Sequence, residues 1–225
     1  MMRNGQLRMK LNLVVILSGI FLAFSCNQGL DNRLDQSVNT SDTAQLNNMK
    51  PDKSIQSVED IQEAYSAVVK QIGVGALDSV SFEYSCGNGE RSGRVIYYSQ
   101  DGDLRLIVHR FAEYSHYSAE EQYFVRDSTL FFTFLKEISW SFEDGPEGSV
   151  RDNITERRTY VLDQEPVKCL EKKYVIRSQI KDNPRPESLP NKEVGCTSSA
   201  LLIKKYPQLV QHHRQAPASG CLEVD

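Results

Sequence analysis

The chain has 225 residues, 40% hydrophobic and 25% charged, with a mean hydropathy of -0.45 and a formal net charge of -4. That composition is globular and excludes collagen-like, fully disordered and multi-pass membrane classes. A mildly acidic chain also lacks the basic face that counter-ion release from nucleic acid needs, so no nucleic-acid partner is expected.

The first segment reads as an address rather than a fold. Arg3, Arg8 and Lys10 precede an apolar run from Leu11 to Phe24, broken only by Asn12, Ser18 and Gly19, and Ser25-Cys26 closes it. The run is short against the roughly 20 apolar residues of a bilayer span, and the order basic, apolar, small-then-cysteine is that of a cleaved secretory signal. Leu22-Ala23-Phe24-Ser25-Cys26 resembles the lipobox of bacterial lipoproteins. The usual Leu stands one place early and Phe24 takes a position normally small, a looseness similar to lipoproteins of the Bacteroidota. The resemblance implies that residues 1–25 are removed, that Cys26 carries acyl chains such as palmitate, and that the protein is anchored by lipid in the cell envelope. The outer membrane is the expected site, with the domain in the periplasm or at the cell surface. Loss of residues 1–25 removes three basic residues and no acidic one, leaving a formal charge of -7.

From Cys26 to Ile55 the chain is rich in Asn, Asp, Gln, Ser and Thr and has no aromatic residue. It reads as a flexible tether with an r.m.s. reach of about 30 Å. A single domain is expected from Gln56 to His213, with a tail over 214–225. Its first element is a helix, because Val58, Ile61, Tyr65, Val68 and Ile72 recur at three and four residues. Ser57 and Asp60 supply an N-terminal cap, and Gly73 and Gly75 a stop.

The period then changes. Val80–Tyr84, Arg94–Ser99, Leu104–Phe111, Glu121–Arg126, Leu130–Phe142, Thr155–Leu162 and Lys168–Arg177 are short β-rich runs. Asn88-Gly89, Asp101-Gly102, Asp127-Ser128 and Asp144-Gly145-Pro146 mark the turns between them. Ile138, Trp140 and Phe142 alternate with Ser139, Ser141 and Glu143, which predicts one buried and one wet face. Ala200-Leu201-Leu202-Ile203 opens a short C-terminal helix that Pro207 interrupts or restarts. The expected fold class is therefore α+β: an N-terminal helix packed on an antiparallel β-meander of six to seven strands, with the short C-terminal helix helping to cover the same face. At the level of architecture alone this resembles the cystatin-like, nuclear transport factor 2-like and PepSY-like groups, whose scaffolds host enzymes, inhibitors and binding modules alike.

Setting Cys26 aside leaves Cys86, Cys169, Cys196 and Cys221, an even number that suits two disulfides in an oxidising compartment. Four cysteines allow three connectivities. The expected one joins Cys86 to Cys169, an early strand to a late one, and Cys196 to Cys221 in the tail. A zinc site is disfavoured because close C-x-x-C pairs are missing.

H-E-x-x-H, G-x-S-x-G and the phosphate-binding G-x-x-x-x-G-K are all absent from the sequence. Gly87, Gly89 and Gly93 are followed by a strand-like run instead of a helix and read as a hairpin turn. Glu120 and Glu121 are neighbours on a strand, point to opposite faces and cannot flank one glycosidic bond; a solvated edge is their expected place. His109 and His116 lie near opposite ends of a predicted hairpin, where a metal with Glu120 or Glu121 as third ligand is the alternative to hydrogen-bonded histidines. His212-His213 are expected in the tail, and Asp101 and Asp103 in a turn. No metal or other cofactor is implied.

The aromatic stripe including Tyr123, Phe131, Phe132, Phe134 and Trp140 is the expected binding face if one side of the sheet is left open. Thr43, Ser79 and Ser128 each follow an Asp, which resembles the acceptor triplet of Bacteroidota O-glycosylation. Together these features point to a lipid-anchored binding or envelope-assembly module contacting a protein or glycan. The competing class is an exported hydrolase or metal-dependent enzyme using His109, His116 and nearby carboxylates.

Overall fold

The structure is a computed structural model that describes residues 54–215 and 221–222. Cys26 and Thr43 lie outside the described residues. A helix, α1 (Val58–Gly73), precedes eight strands: β1 (Asp78–Cys86), β2 (Arg91–Gln100), β3 (Asp103–Glu113), β4 (Tyr117–Arg126), β5 (Thr129–Phe142), β6 (Val150–Leu162), β7 (Glu165–Arg177) and β8 (Lys192–Val194). A second helix, α2 (Ala200–Gln215), follows. The strands form one antiparallel sheet in strict chain order, so this is largely a β fold. The meander has eight strands rather than six to seven. The extra strand, β8, is three residues long, too short to show a period, and is defined by its pairing of Val194 with Cys169.

α1 begins where Ser57 Oγ accepts the Asp60 N–H at 3.1 Å, while the Asp60 carboxylate accepts from Ser57 Oγ and the Gln56 N–H. Three hairpins at one end of the sheet share one construction. Asp101-Gly102, Asp127-Ser128 and Asp163-Gln164 are two-residue turns with positive φ at both positions, the conformation whose twist matches paired strands. Four residues after each Asp, at Arg105, Phe131 and Val167, the register slips by one. Such bulges increase local twist, so the strands coil most at this end.

The two faces are covered by different helices. α1 lays Ile61, Ala64 and Val68 on a first face bearing Leu106, Val108, Phe124 and Phe132. α2 lays Leu202 and Leu209 on the second, bearing Ile107, Phe111, Tyr123 and Leu135. The expectation that both helices share one face is thus corrected. Its physical reason is in the strands: Leu106-Ile107-Val108 and Tyr123-Phe124-Val125 are apolar at every position, the pattern of two-sided burial. The buried face expected at Ile138, Trp140 and Phe142 is corrected: Ile138 and Trp140 are only half-buried and Phe142 is exposed. That end of β5 extends beyond α1, and Phe142 is 70% exposed.

α2 runs unbroken through Pro207. Proline removes one N–H, but the residues around it are fixed from outside: Tyr206 Oη donates to the Ser128 carbonyl and Tyr97 Oη to that of Leu209. His212 and His213 belong to this helix rather than to a tail, with rings 4.5 Å from Phe82 and 4.3 Å from Tyr97 respectively. Burial, with His213 and His109 nearby, lowers the His212 pKa.

Two disulfides hold the helix at its ends, Cys169–Cys196 before it and Cys86–Cys221 after it. This corrects the expected pairing. Cys86 lies on β1 and Cys169 on β7, six strand spacings or about 29 Å apart, whereas bridged cysteines need Cα atoms within about 7 Å. The actual pairs have Cα separations of 4.8 and 5.3 Å.

Candidate functional site

Beneath α2, four strand residues and one helix residue build a buried polar chain. Tyr84 on β1 faces Gly93 on β2, and Gly93 faces Phe111 on β3. A Cβ on Gly93 would lie 2.6 Å from the Tyr84 hydroxyl oxygen and 2.6 Å from the Arg110 carbonyl oxygen. The missing side chain lets the Tyr84 ring cross β2, and its Oη meets His109 Nε2 at 2.7 Å. His109 Nδ1 is 2.9 Å from Glu121 Oε2, which also accepts from Tyr123 Oη at 2.8 Å. Lys205 of α2 donates to Glu121 Oε1 at 2.9 Å.

The electrostatics of this chain are self-consistent. Burial pushes the Glu121 carboxyl up, but the His109 hydrogen bond and the Lys205 ammonium outweigh it and hold the group below the usual carboxylate range. Burial raises the phenols of Tyr84 and Tyr123, the latter helped by the Glu121 charge. At neutral pH the carboxylate is ionised and both phenols keep their protons. One neutral imidazole tautomer then satisfies every contact, with Nδ1–H donating to Glu121 and Nε2 accepting from Tyr84. Beside the chain a 320 Å³ cavity lies between the first turns of α2 and the sheet, reached by Glu121, Lys205, Glu137 and Arg157. Its charges are already paired, Arg157 with Glu137 at 2.8 Å and with Glu171 at 3.0 Å.

The first face carries the larger opening. Where α1 ends, one transverse row runs Glu83, Arg94, Arg110, Glu120, Lys136, Glu156 and Lys172 directly opposed across seven strands. The next row is small, with Ser92, Ala112 and Ser118 in register, followed by Ile138. Short side chains beside long charged ones leave a groove of about 610 Å³, open to solvent, lined by Arg94, Arg110, Glu120, Lys136 and Ile138 over that floor. At β6 and β7 the face closes, because Lys172 Nζ donates to the Pro186 carbonyl at 2.6 Å and Glu156 and Tyr174 are buried with it. Beyond Ile138, the Trp140 ring lies 4.0 Å from that of His116, tilted by 33°, donates through Nε1 to the Ser115 carbonyl, and meets Phe142 edge-on at 5.4 Å.

The sequence candidates divide accordingly. Tyr123, Phe131 and Phe132 are core residues, corrected from a binding face because both sides of their strands are covered. Phe134 is half-buried against the α1 cluster, and Trp140 alone of the set borders the open half. Glu121 is corrected from a solvated edge to the interior, since β4 is a central strand. Glu120, on the other face, accepts from Arg110 Nε and Gln122 Nε2, both at 2.6 Å. His109 and His116 do not converge: the ladder from His109 to the hairpin end at Glu113 spans about 13 Å, and His116 lies beyond it. Among the described residues no group of three His, Cys, Asp or Glu side chains is placed to hold a metal. Asp101 is a turn residue and Asp103 begins β3. Ser79 and Ser128 are both exposed, on the outer strand and in the β4–β5 turn. Tyr84, Lys205, Arg94 and Arg110 were not singled out from sequence; Gly93, expected in a hairpin turn, is corrected to the interior of β2, where a glycine marks close approach of another group.

Among the described residues no helix is long and apolar enough to cross a membrane. Compared with protein-family models, curated proteins and solved structures, the chain matches none.

Proposed function

We propose that the protein is a lipid-anchored extracytoplasmic module of the bacterial cell envelope that binds a partner protein or glycan through the groove on the first face, without catalysing a reaction. The observation that carries this reading is the groove itself: a sheet covered by a helix on each face leaves one half of one face uncovered and furnished with side chains. The lipobox-like leader ending at Cys26 and two disulfides support an exported, anchored form. The described domain begins at Ser54, beside Phe131 and Leu162 at the bulged end of the sheet. The groove lies at the other end of the sheet. We read the scaffold as an α+β roll with α1 across the bulged half.

The test is a photo-crosslinking amino acid at Ala112 or Ser118, in the groove, and at Glu63 on exposed α1, in cells making the full chain. Saturable adducts from the groove positions alone are expected. Identical adducts from all three positions, or none, would overturn the reading. Intact mass of the membrane-bound form is expected to begin at Cys26 with added acyl chains; a soluble, unacylated form overturns the anchor.

The hydrolase alternative draws on the Tyr84–His109–Glu121 chain. Against it, His109 is fully buried and both its ring nitrogens are engaged, so no substrate proton reaches it.

A further inference from the structure

Resting on that reading of the groove, we propose that its ligand is an acidic oligosaccharide whose carboxylate sits between Arg94 and Arg110. These two arginines are directly opposed on β2 and β3. Side chains so paired have Cβ atoms about 5 Å apart, and like charges there repel. Nothing in the core requires this arrangement, because both side chains are more than half exposed. A planar carboxylate between two guanidinium groups turns the repulsion into two charge-assisted contacts.

The arginines are only partly neutralised from within. Glu83 reaches Arg94 at 4.0 Å from a mostly exposed position. Arg110 engages Glu120 through Nε, while Arg94 spends one terminal nitrogen on Ser81 Oγ at 2.8 Å. Five charges line the row from Glu83 to Lys136, three positive and two negative, so the groove is positive on a protein that is negative as a whole.

The same row argues for a sugar over an acidic peptide. Carboxylate acceptors and guanidinium donors follow one another at the strand spacing of about 4.8 Å, and the serines of the floor add hydroxyls. A chain of hydroxyls, each able to donate and accept, satisfies both kinds of group. The side chains of a glutamate peptide carry no hydroxyls and so donate nothing to Glu83 and Glu120, which flank the arginine pair. Ile138 gives the groove an apolar end wall, on which the C–H face of a sugar ring packs.

The test is isothermal titration of the oxidised protein with tetragalacturonate, with its carboxyl-reduced neutral counterpart, and with tetraglutamate. Arg94→Gln and Arg110→Gln variants are compared with Lys70→Gln on exposed α1, and near-UV circular dichroism verifies that each is native. Expected are saturable binding of tetragalacturonate that weakens with added salt, at least tenfold loss in either groove variant, and no change in Lys70→Gln. Binding of the neutral sugar with equal affinity, indifference to both arginine variants, or tighter binding of tetraglutamate each overturns the proposal. If tetragalacturonate does not bind but groove crosslinks still capture a saturable partner in cells, the acidic-sugar assignment falls and the binding module stands. If both fail, both readings fall.

Discussion

Tyr84 and His109 are separated by an entire strand, yet their side chains meet at 2.7 Å across the backbone of Gly93. Gly93→Ala forces a methyl against both the Tyr84 ring and the Arg110 carbonyl, and only the first can move. We expect a loss of about 1–3 kcal/mol, the usual cost of overpacking, read from urea unfolding. Tyr84→Ala in the same chain should recover part of it, because one of the two clashes is gone. Full additivity of the two substitutions would mean that the ring does not lie over Gly93.

The second expectation concerns acid. The folded pKa of Glu121 lies below its ordinary value of 4.5. Its ionisation therefore contributes stability that is complete above about pH 4.5 and is lost as pH falls from there through the lowered folded value. Urea midpoints measured from pH 7 down to 3 should drop across that window. Glu121→Gln should flatten the drop. At pH 7 the same variant strands Lys205, and because that ammonium is partly exposed the cost should be a fraction of the roughly 3–5 kcal/mol of a fully buried broken pair. An unchanged pH slope in Glu121→Gln would remove this carboxylate from the account.

Third, two phenylalanines on neighbouring strands should behave oppositely. Phe124 is 1% exposed between α1 and the sheet, and Phe124→Ala should cost about 3–5 kcal/mol by denaturation. Phe142→Ala, at an exposed position, should stay within about 0.5 kcal/mol. Comparable losses at both sites would mean that the end of β5 is covered after all.

Fourth, the disulfides differ in span, closing 135 and 27 residues of sequence. In the chain-entropy account, replacing Cys86 and Cys221 by serine should cost up to about 5 kcal/mol, and replacing Cys169 and Cys196 up to about 3.5. Non-reducing peptide mapping should return these two pairs and no others.

Much of the fold is written in local chemistry. The helix stripe from Val58, the Ser57 cap and seven strand runs all follow from periods and turn residues. Two hairpins were readable from their Asp-led turns. The third, Asp163-Gln164, follows its Asp with Gln, which is not a turn residue as Gly and Ser are, although its Asp is shared with the others. The placement of the helices was also present, in apolar runs without alternation on β3 and β4, and the two-face reading of those runs is the correct one.

The candidate sites were far less legible, because they are made by register. Glu121 looks like a surface residue until β4 is known to be central and His109 and Lys205 are known to meet it. Arg94 and Arg110 are sixteen positions apart and become neighbours only through the β2–β3 pairing. Trp140 was identifiable as an aromatic on an alternating segment, but its separation from Phe132 depends on where α1 stops. The disulfides fail for a related reason: cysteine spacing holds no information about how many strands intervene.

That last point bears on how the molecule comes to exist. Of the four disulfide cysteines, a chain that emerges N-terminus first presents Cys86 earliest, then Cys169 and Cys196, and Cys221 last. Pairing in order of arrival would join Cys86 to Cys169, the wrong bond. The meander itself guards against it, since each strand needs only its predecessor as a template and every strand added carries the two thiols further apart. Correct oxidation thus depends on a race in which strand pairing must outrun thiol chemistry, and a slow sheet would need an isomerase to repair what haste had joined.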